Sequence, residues 1–412
     1  MKPTQPPLSL VRSGRQRSSL PLRGIGQACM ATAGAALGLA LLAQQPVRAE
    51  DSPVITITKS DKIAVGLNGI GGADGSTIGQ ILQKDLQMSG ALSVGGPNTG
   101  NFQISGTSSG SSSLRGLLSE RGGRNLVERS YSGNARAQAH AFANDIVEAL
   151  TGSKGIAGSR IAFVATRSGH KEVYTVDADG SNIVQQTNDG RLSVSPRISA
   201  DGRHLAYTGY QSGYADVYEI DFGSGSRRRI MKYPGTNSGA AYSPDGGRFA
   251  VTLSKDGNPE LYVTDSGGGS PRRLTTTSGV ESSPTWSPDG REIIYSSDSG
   301  GSPMLYRISS SGGSPAQIRT GHSYNTEPNW SPDGRKVAFN VRSGGSFTVA
   351  IIEFPSGQVR LLGEGQSPAW GPDSRHLVYG QGGSLVMLDV VTLQRSTIAS
   401  NLGRISEPSW SR

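Results

Sequence analysis

One five-residue turn, recurring in phase, constrains this chain more than any other feature. Tyr242-Ser243-Pro244-Asp245-Gly246 returns as Trp286-Ser287-Pro288-Asp289-Gly290 and Trp330-Ser331-Pro332-Asp333-Gly334. It decays to Trp370-Gly371-Pro372-Asp373-Ser374, is preceded by Ile198-Ser199-Ala200-Asp201-Gly202, and the chain stops on Trp410-Ser411-Arg412. The lead residues are spaced 44, 44, 44, 40 and 40 apart. Val173-Tyr174, Val217-Tyr218, Leu261-Tyr262 and Leu305-Tyr306 share the phase, and both shortenings fall in turns, where deletions are tolerated. In the turn itself, Pro presets φ at the second position, Asp bonds its own backbone, and Gly takes the last place.

Each unit reads as four strands: one ending in the aromatic, a short apolar one such as Glu292–Ser296, one such as Leu261–Asp265, and one such as Arg272–Thr275. Four strands in ~40–45 residues, repeated, is the signature of a β-propeller. Five full units run from 198 to 409. Before them, Arg160–Ala165, Val173–Asp177 and Asn182–Thr187 give three strands with no leader; after them, Ser406–Ser411 is a leader with no followers. The two fragments complete a sixth blade and close the ring, which removes the unpaired edges that invite aggregation. The predicted fold is mainly β, a six-bladed propeller over 158–412 preceded by a small α/β domain over 50–157. Glycine, 58 of 412 residues, excludes a helical bundle.

Residues 50–157 do not repeat. Strands are expected at Val54–Thr58, Lys62–Val65, Phe102–Ile104, Leu114–Leu118 and Leu126–Tyr131. A helix capped by Ser76 runs to Met88 with Gly90 as its stop, and a second spans Asn134 or Ala135 to Leu150. The Gly/Ser-rich stretch from Gly95 to Ser113 reads as mobile.

The formal net charge is +8, but residues 1–49 hold six basic residues and no acid, so the remainder carries only +2. That is a poor basis for a nucleic-acid partner. The same segment orders a basic stretch ending at Arg23, an apolar run from Ala31 to Ala43, and Val47-Arg48-Ala49, the plan of a secretory signal peptide cleaved near Ala49. The run is shorter than the ~20 residues needed to span a bilayer. Cys29, the only cysteine, leaves with the leader, so the mature chain would have no disulfide, thiol nucleophile or zinc-thiolate site.

Motifs with possible chemistry mostly dissolve into turns. Gly106-Thr-Ser-Ser-Gly110 has the spelling of a nucleophile elbow but is followed by Ser111-Ser112-Ser113, a poor helix start. Gly69-Ile70-Gly71-Gly72 would need its third phosphate-binding glycine at Asp74. Asp177-Ala178-Asp179-Gly180 lacks the closing Glu of a calcium loop, Asn188 standing there instead. The five histidines show no metal spacing, and Arg227-Arg228-Arg229 reads as a solvated outer strand. No catalytic residue, metal or cofactor is expected.

The chain resembles TolB, the periplasmic component of the Tol–Pal envelope system. The resemblance rests on Asp85-Leu86 with Ser89-Gly90, on His140, Asp145-Ile146, Leu150-Thr151-Gly152, Gly155 and Arg160–Val164 in order, and on the Ser-Pro-Asp-Gly blades. It departs from the family in a shorter middle of the first domain. It implies a binding protein that docks the lipoprotein Pal on one propeller face and engages TolA through its mature N-terminal segment, supporting envelope integrity and division. The TolA segment is expected at Val54, Ile55, Thr56 and Ile57, whose alternation suits a strand added to a partner sheet. Pal is expected on the loops leading into the aromatic strands: Thr236, Asn237, Ser238, Glu281, Ser282, Ser283, Asn325, Thr326 and Glu327. These share one phase of the repeat and therefore one face. Association with membranes would run only through these partners. The alternatives are an exported propeller binding module outside Tol–Pal, or the propeller module of a hydrolase.

Overall fold

The computed structural model describes residues 62–411. The expected signal peptide, Cys29 and the strand at Val54–Thr58 lie outside the described residues. The first part is an α/β layer. Strand β1 (Ile63–Gly72) leads to helix α1 (Gly75–Met88), followed by β2 (Leu92–Gly95), β3 (Phe102–Ser108), β4 (Leu114–Glu120), β5 (Asn125–Tyr131) and helix α2 (Ala135–Thr151). The sheet runs β2-β1-β3-β4-β5, with β1 parallel to both neighbours and the rest antiparallel. Both helices face it through Ile78, Leu82, Leu86, Phe142 and Ile146, all fully buried with Val65, Ile104 and Leu118.

Two expectations need correcting. Ser76 does not cap α1: the N-cap is Asp74, and no side chain caps there. The stretch from Gly95 to Ser113 is not all loop: the strand expected at Phe102–Ile104 runs on to Ser108. It contains β3, hydrogen-bonded between β1 and β4, because Ile104 supplies a core side chain while Gly72 and Gly106 let backbones pass closely. A Cβ at Gly72, whose φ is +92°, would lie 1.9 Å from the Ser108 carbonyl oxygen. At α2 the sequence signals hold. Asn134 Oδ1 accepts from the Ala137 amide at 2.9 Å, and Gly152 ends the helix at φ +71°.

Beyond Arg160 the chain forms six four-stranded antiparallel sheets. One joins Ile405–Trp410 to Arg160–Ala165, Glu172–Asp177 and Val184–Gln185, so the two ends of the propeller complete one blade. The six innermost strands are Ser193–Ile198, Asn237–Tyr242, Glu281–Trp286, Asn325–Trp330, Gln366–Trp370 and Ile405–Trp410. Each touches the next, the last touches the first, and the ring closes. The Ser-Pro-Asp-Gly turn obeys its chemistry. Asp245 Oδ1 accepts from the Gly247 amide at 3.1 Å, the Arg248 amide donates to Ser243 Oγ at 3.0 Å, and Gly246 sits at φ +70°.

The cores lie between blades. Ile294 and Leu305 of one blade pack with Trp330, Val337 and Phe339 of the next, and Ala250 and Leu261 pack with Trp286, Ile293 and Tyr295. Burying each such side chain contributes about 1.5–3 kcal/mol, so every blade depends on its neighbour.

Both parts belong to one compact unit. The α/β layer meets the propeller on the face of the Ser-Pro-Asp-Gly turns. Arg136 of α2 donates to Asp179 at 2.7 Å and Asp177 at 3.4 Å, which are turn carboxylates and not a calcium loop. Arg375 donates to the Gly90 carbonyl at 2.9 Å and to Asp389 at 2.7 Å. Asp179 is held well below the usual carboxylate range: burial pushes it up, but hydrogen bonds from Arg136 and Ser181 outweigh it. Behind this seam, His140 Nδ1 lies 2.6 Å from Asp85 Oδ2 and ties α2 to α1. A groove of 890 Å³ lined by Lys62, Leu150, Lys154, Arg375 and Val391 opens at the same junction.

Candidate docking face and channel

The innermost strands share an unusual backbone. One residue near the start of each is left-handed: Ser195, Gly239, Ser283, Glu327, Ser367 and Glu407 all have φ between +53° and +64°. Pro follows at 196, 284, 328, 368 and 408, and the pairing register shifts there in every blade. Such a bulge re-aims side chains, and a non-glycine residue held left-handed costs about 1–2 kcal/mol. Five of them therefore line the central channel, with Lys171, Arg197 and Asn329, around a cavity of 330 Å³. The channel's other end narrows to 60 Å³ among Trp286, Trp370 and Trp410.

The channel is charged. Arg197 Nη1 donates to the Pro196 carbonyl at 2.9 Å. Burial lowers its pKa, while Glu407 and Glu327 raise it. Glu327 is pushed above its usual value by burial and by Glu407, against the pull of Ser367 and Arg197. Glu407 Oε2 accepts from the Ser195 amide at 2.7 Å, and its Oε1 lies 3.5 Å from Lys171 Nζ. The fifth strand residue carries hydrogen bonds to the next blade. Thr285 Oγ1 accepts from the Trp330 amide, Asn329 Oδ1 from Trp370, and Ser409 Oγ from Ile198.

At the channel mouth, the loops entering the innermost strands are stitched to the loops joining second and third strands. The Ser193 amide donates to the Lys171 carbonyl, Tyr210 to Leu192, Asn237 to Ala215, Ser254 to Thr236, and Arg342 to Tyr324. Buried acids anchor them from below. Glu172 accepts from Thr187 Oγ1 and the Asp189 and Gly190 amides. Glu260 Oε1 accepts from Arg273 at 2.8 Å and the Thr277 amide at 2.7 Å. Glu281 Oε1 accepts from Thr277 Oγ1 at 2.9 Å and Ser297 Oγ at 2.7 Å. Burial, and then the facing Glu260 carboxyl, push Glu281 up to about 7. Glu260 stays below its ordinary value: burial raises it, but its hydrogen-bond donors prevail.

The nine residues expected as docking loops therefore separate into three roles. All except Thr236 belong to the innermost strands rather than to loops. Asn237, Glu281 and Asn325 are corrected outright as surface residues: each is 0% exposed and works as an internal anchor. Asn237 accepts from the Tyr233 amide and donates to the Tyr233 and Ala215 carbonyls. Ser283 and Glu327 face the channel, while Thr236, Ser238, Ser282 and Thr326 are half-buried near the mouth. Residue-by-residue reading missed Arg197, Ser195, Ser367, Glu407 and Lys171. The repeat phase that places Glu327 also places Ser195, Ser367 and Glu407.

The other motifs fall on strands and turns. Gly106–Ser108 belongs to β3 and leads into a three-residue turn of 3-10 helix, so no elbow forms. Gly69–Gly72 ends β1. Arg227, Arg228 and Arg229 form an outer strand and pair with Asp189, Glu219 and Asp216 at 2.9, 2.6 and 3.1 Å. Among the described residues, no group of three or more His, Cys, Asp or Glu side chains could hold a metal, and no helix is long and apolar enough to cross a membrane.

Residues 147–412 match the family described as the TolB beta propeller domain. Over 85 residues the chain is 45% identical to a TolB homolog of Chlorobaculum tepidum, 20% of each chain. Over 166 residues it is 31% identical to the Tol-Pal system protein TolB of Geobacter sulfurreducens, covering 32% of this chain and 38% of that one. The chain thus spans about a fifth to two fifths of these curated relatives. Among solved structures, TolB from Acinetobacter baumannii superposes with a TM-score of 0.75 at 25% identity, covering 85% of this chain and 97% of that one.

Proposed function

The chain belongs to the TolB propeller family, and on that premise we propose that it is an exported, periplasmic adaptor of a Tol–Pal system that binds partners rather than catalysing a reaction. The observation that carries this reading is the division of the propeller's two faces. The α/β layer covers the face of the Ser-Pro-Asp-Gly turns through Arg136 and Arg375. Among the described residues, nothing covers the opposite face, which has the channel mouth at its centre. Pal docks on that open face, around the entry of the innermost strands. Its rigid platform is set by closure and by buried anchors such as Glu281 and Asn237, not by a catalytic group. Val54, Ile55, Thr56 and Ile57, outside the described residues, form the segment that adds to TolA as a strand. The adaptor thereby links the outer-membrane lipoprotein to the inner-membrane machinery during constriction.

The test is binding of the soluble domain of the Pal lipoprotein from the same genome. Ser282→Trp and Thr326→Trp should each weaken it at least about tenfold, which is 1.4 kcal/mol, with the melting temperature near wild type. Normal binding by both variants would remove Pal from this face.

A further inference from the structure

The open face has a chemical character that the docking reading does not by itself supply. Six exposed cations, Arg167, Arg191, Lys232, Arg319, Arg342 and Arg404, stand in its loops and at its strand ends. They come from four different blades and surround the channel mouth. None has an ion-pair partner among the described residues; Arg342 lies instead over the rings of Tyr324 and Phe347 at 5.6 and 5.8 Å. The face's acids are mostly engaged. Asp189 is held by Arg227, Asp256 by Lys255 and Tyr262, and Asp298 accepts from the Val280 amide. Glu364 is exposed at the end of its strand. The surplus on the rim is positive although the mature chain as a whole is close to neutral.

The same loops carry apolar side chains that solvent does not favour. Tyr214 is 72% exposed, Val280 43% and Leu192 36%. Exposed tyrosine and arginine together are the composition of binding hot spots. The channel itself presents Glu327 and Glu407, which oppose a polyanion laid across its mouth.

We infer that this face takes a partner protein whose docking surface combines acidic and apolar patches. The inference rests on the docking reading above and specifies the chemistry of the partner: carboxylates meet the cationic ring, and an apolar patch covers Tyr214, Val280 and Leu192. Complementary rim charges act mainly on the association rate and make it salt-dependent. Apolar contacts act mainly on dissociation.

The experiment is stopped-flow association of the full mature chain with the soluble Pal domain at 50 and 500 mM NaCl. The wild-type association rate should fall by roughly tenfold or more over that range. The double variant Arg191→Glu/Arg319→Glu should associate roughly tenfold more slowly at low salt and lose most of the salt dependence. Arg191→Lys/Arg319→Lys should match wild type. Tyr214→Ala should raise the dissociation rate with little change in association. Association that is salt-insensitive and unaffected by charge reversal overturns the acidic partner while leaving Pal docking intact. Absence of wild-type binding overturns both. Binding to phosphatidylglycerol vesicles more tightly than to Pal would assign the cations to a lipid surface and also overturn the inference.

Discussion

Replacing Glu281 by glutamine should make the protein more stable above neutrality and leave it nearly unchanged in mild acid. Glu281 and Glu260 are both 0% exposed, and one Oε2 of each carboxyl has no hydrogen-bond partner. Two facing carboxylates shut off from bulk solvent cannot both ionise cheaply, so the pair keeps a proton, and Glu281 is the member pushed up to about 7. Its ordinary value is 4.5. Because the folded pKa lies above the unfolded one, this contribution is fully present below about pH 4.5 and is lost as pH rises through about 7. Holding the proton over that range makes folding more favourable by up to about 3 kcal/mol at acid pH relative to alkaline pH. The downward displacement of Glu260 works in the opposite sense and reduces the net effect. Glutamine keeps the shape, supplies an amide donor for Glu260, and does not titrate. Urea unfolding at pH 5, 6, 7, 8 and 9 tests the point. Wild-type midpoints should decline relative to Glu281→Gln from pH 5 to 7 and level off above about pH 8, with the variant ahead by about 1–3 kcal/mol at pH 9. A difference that stays constant from pH 5 to 9, or a variant less stable at pH 9, would refute the shared proton. Glu281→Ala separates packing from charge: it strands Thr277 and Ser297 and should cost stability at every pH.

The remaining predictions concern anchoring, closure and the N-terminal segment. Asn237→Ala removes a fully buried amide that satisfies Tyr233 and Ala215; thermal unfolding should show a loss of about 2–4 kcal/mol, and a change within 0.5 kcal/mol would deny the anchor role. Truncation after Gly403 deletes the strand Ile405–Trp410 that closes the ring; near-ultraviolet circular dichroism should lose its tertiary signal, and a retained native spectrum would mean that closure is dispensable. Deleting Glu50 to Ile57 should abolish binding to TolA while Pal binding and melting temperature stay close to wild type; global unfolding would make the segment a core strand.

The comparison between reading and structure divides along the range of the interactions involved. Turn chemistry is local, so Ser243, Asp245 and Gly246 reveal their geometry in five residues. Periodicity then multiplies that local signal: spacings of 44 and 40 count the blades, and the orphan strand at Ile405–Trp410 predicts its pairing with Arg160–Ala165. Helix α2 was legible for the same reason, its start at Asn134 or Ala135 and its end near Leu150.

Three things only the tertiary structure decided. Ring closure buries the first residue of five of the six innermost strands, which turns polar residues at Asn237, Glu281 and Asn325 from apparent loop contacts into internal anchors. The left-handed bulge aims Ser195, Glu327 and Glu407 at one axis, so residues up to 212 positions apart meet, as Ser195 and Glu407 do at 2.7 Å. The strand expected at Phe102–Ile104 runs on through the glycine- and serine-rich residues to Ser108 and becomes central because β1 and β4 satisfy its backbone on both sides, a long-range pairing that composition does not report. Periodicity gives the number and order of the blades. What each polar side chain does depends on how much water closure leaves around it.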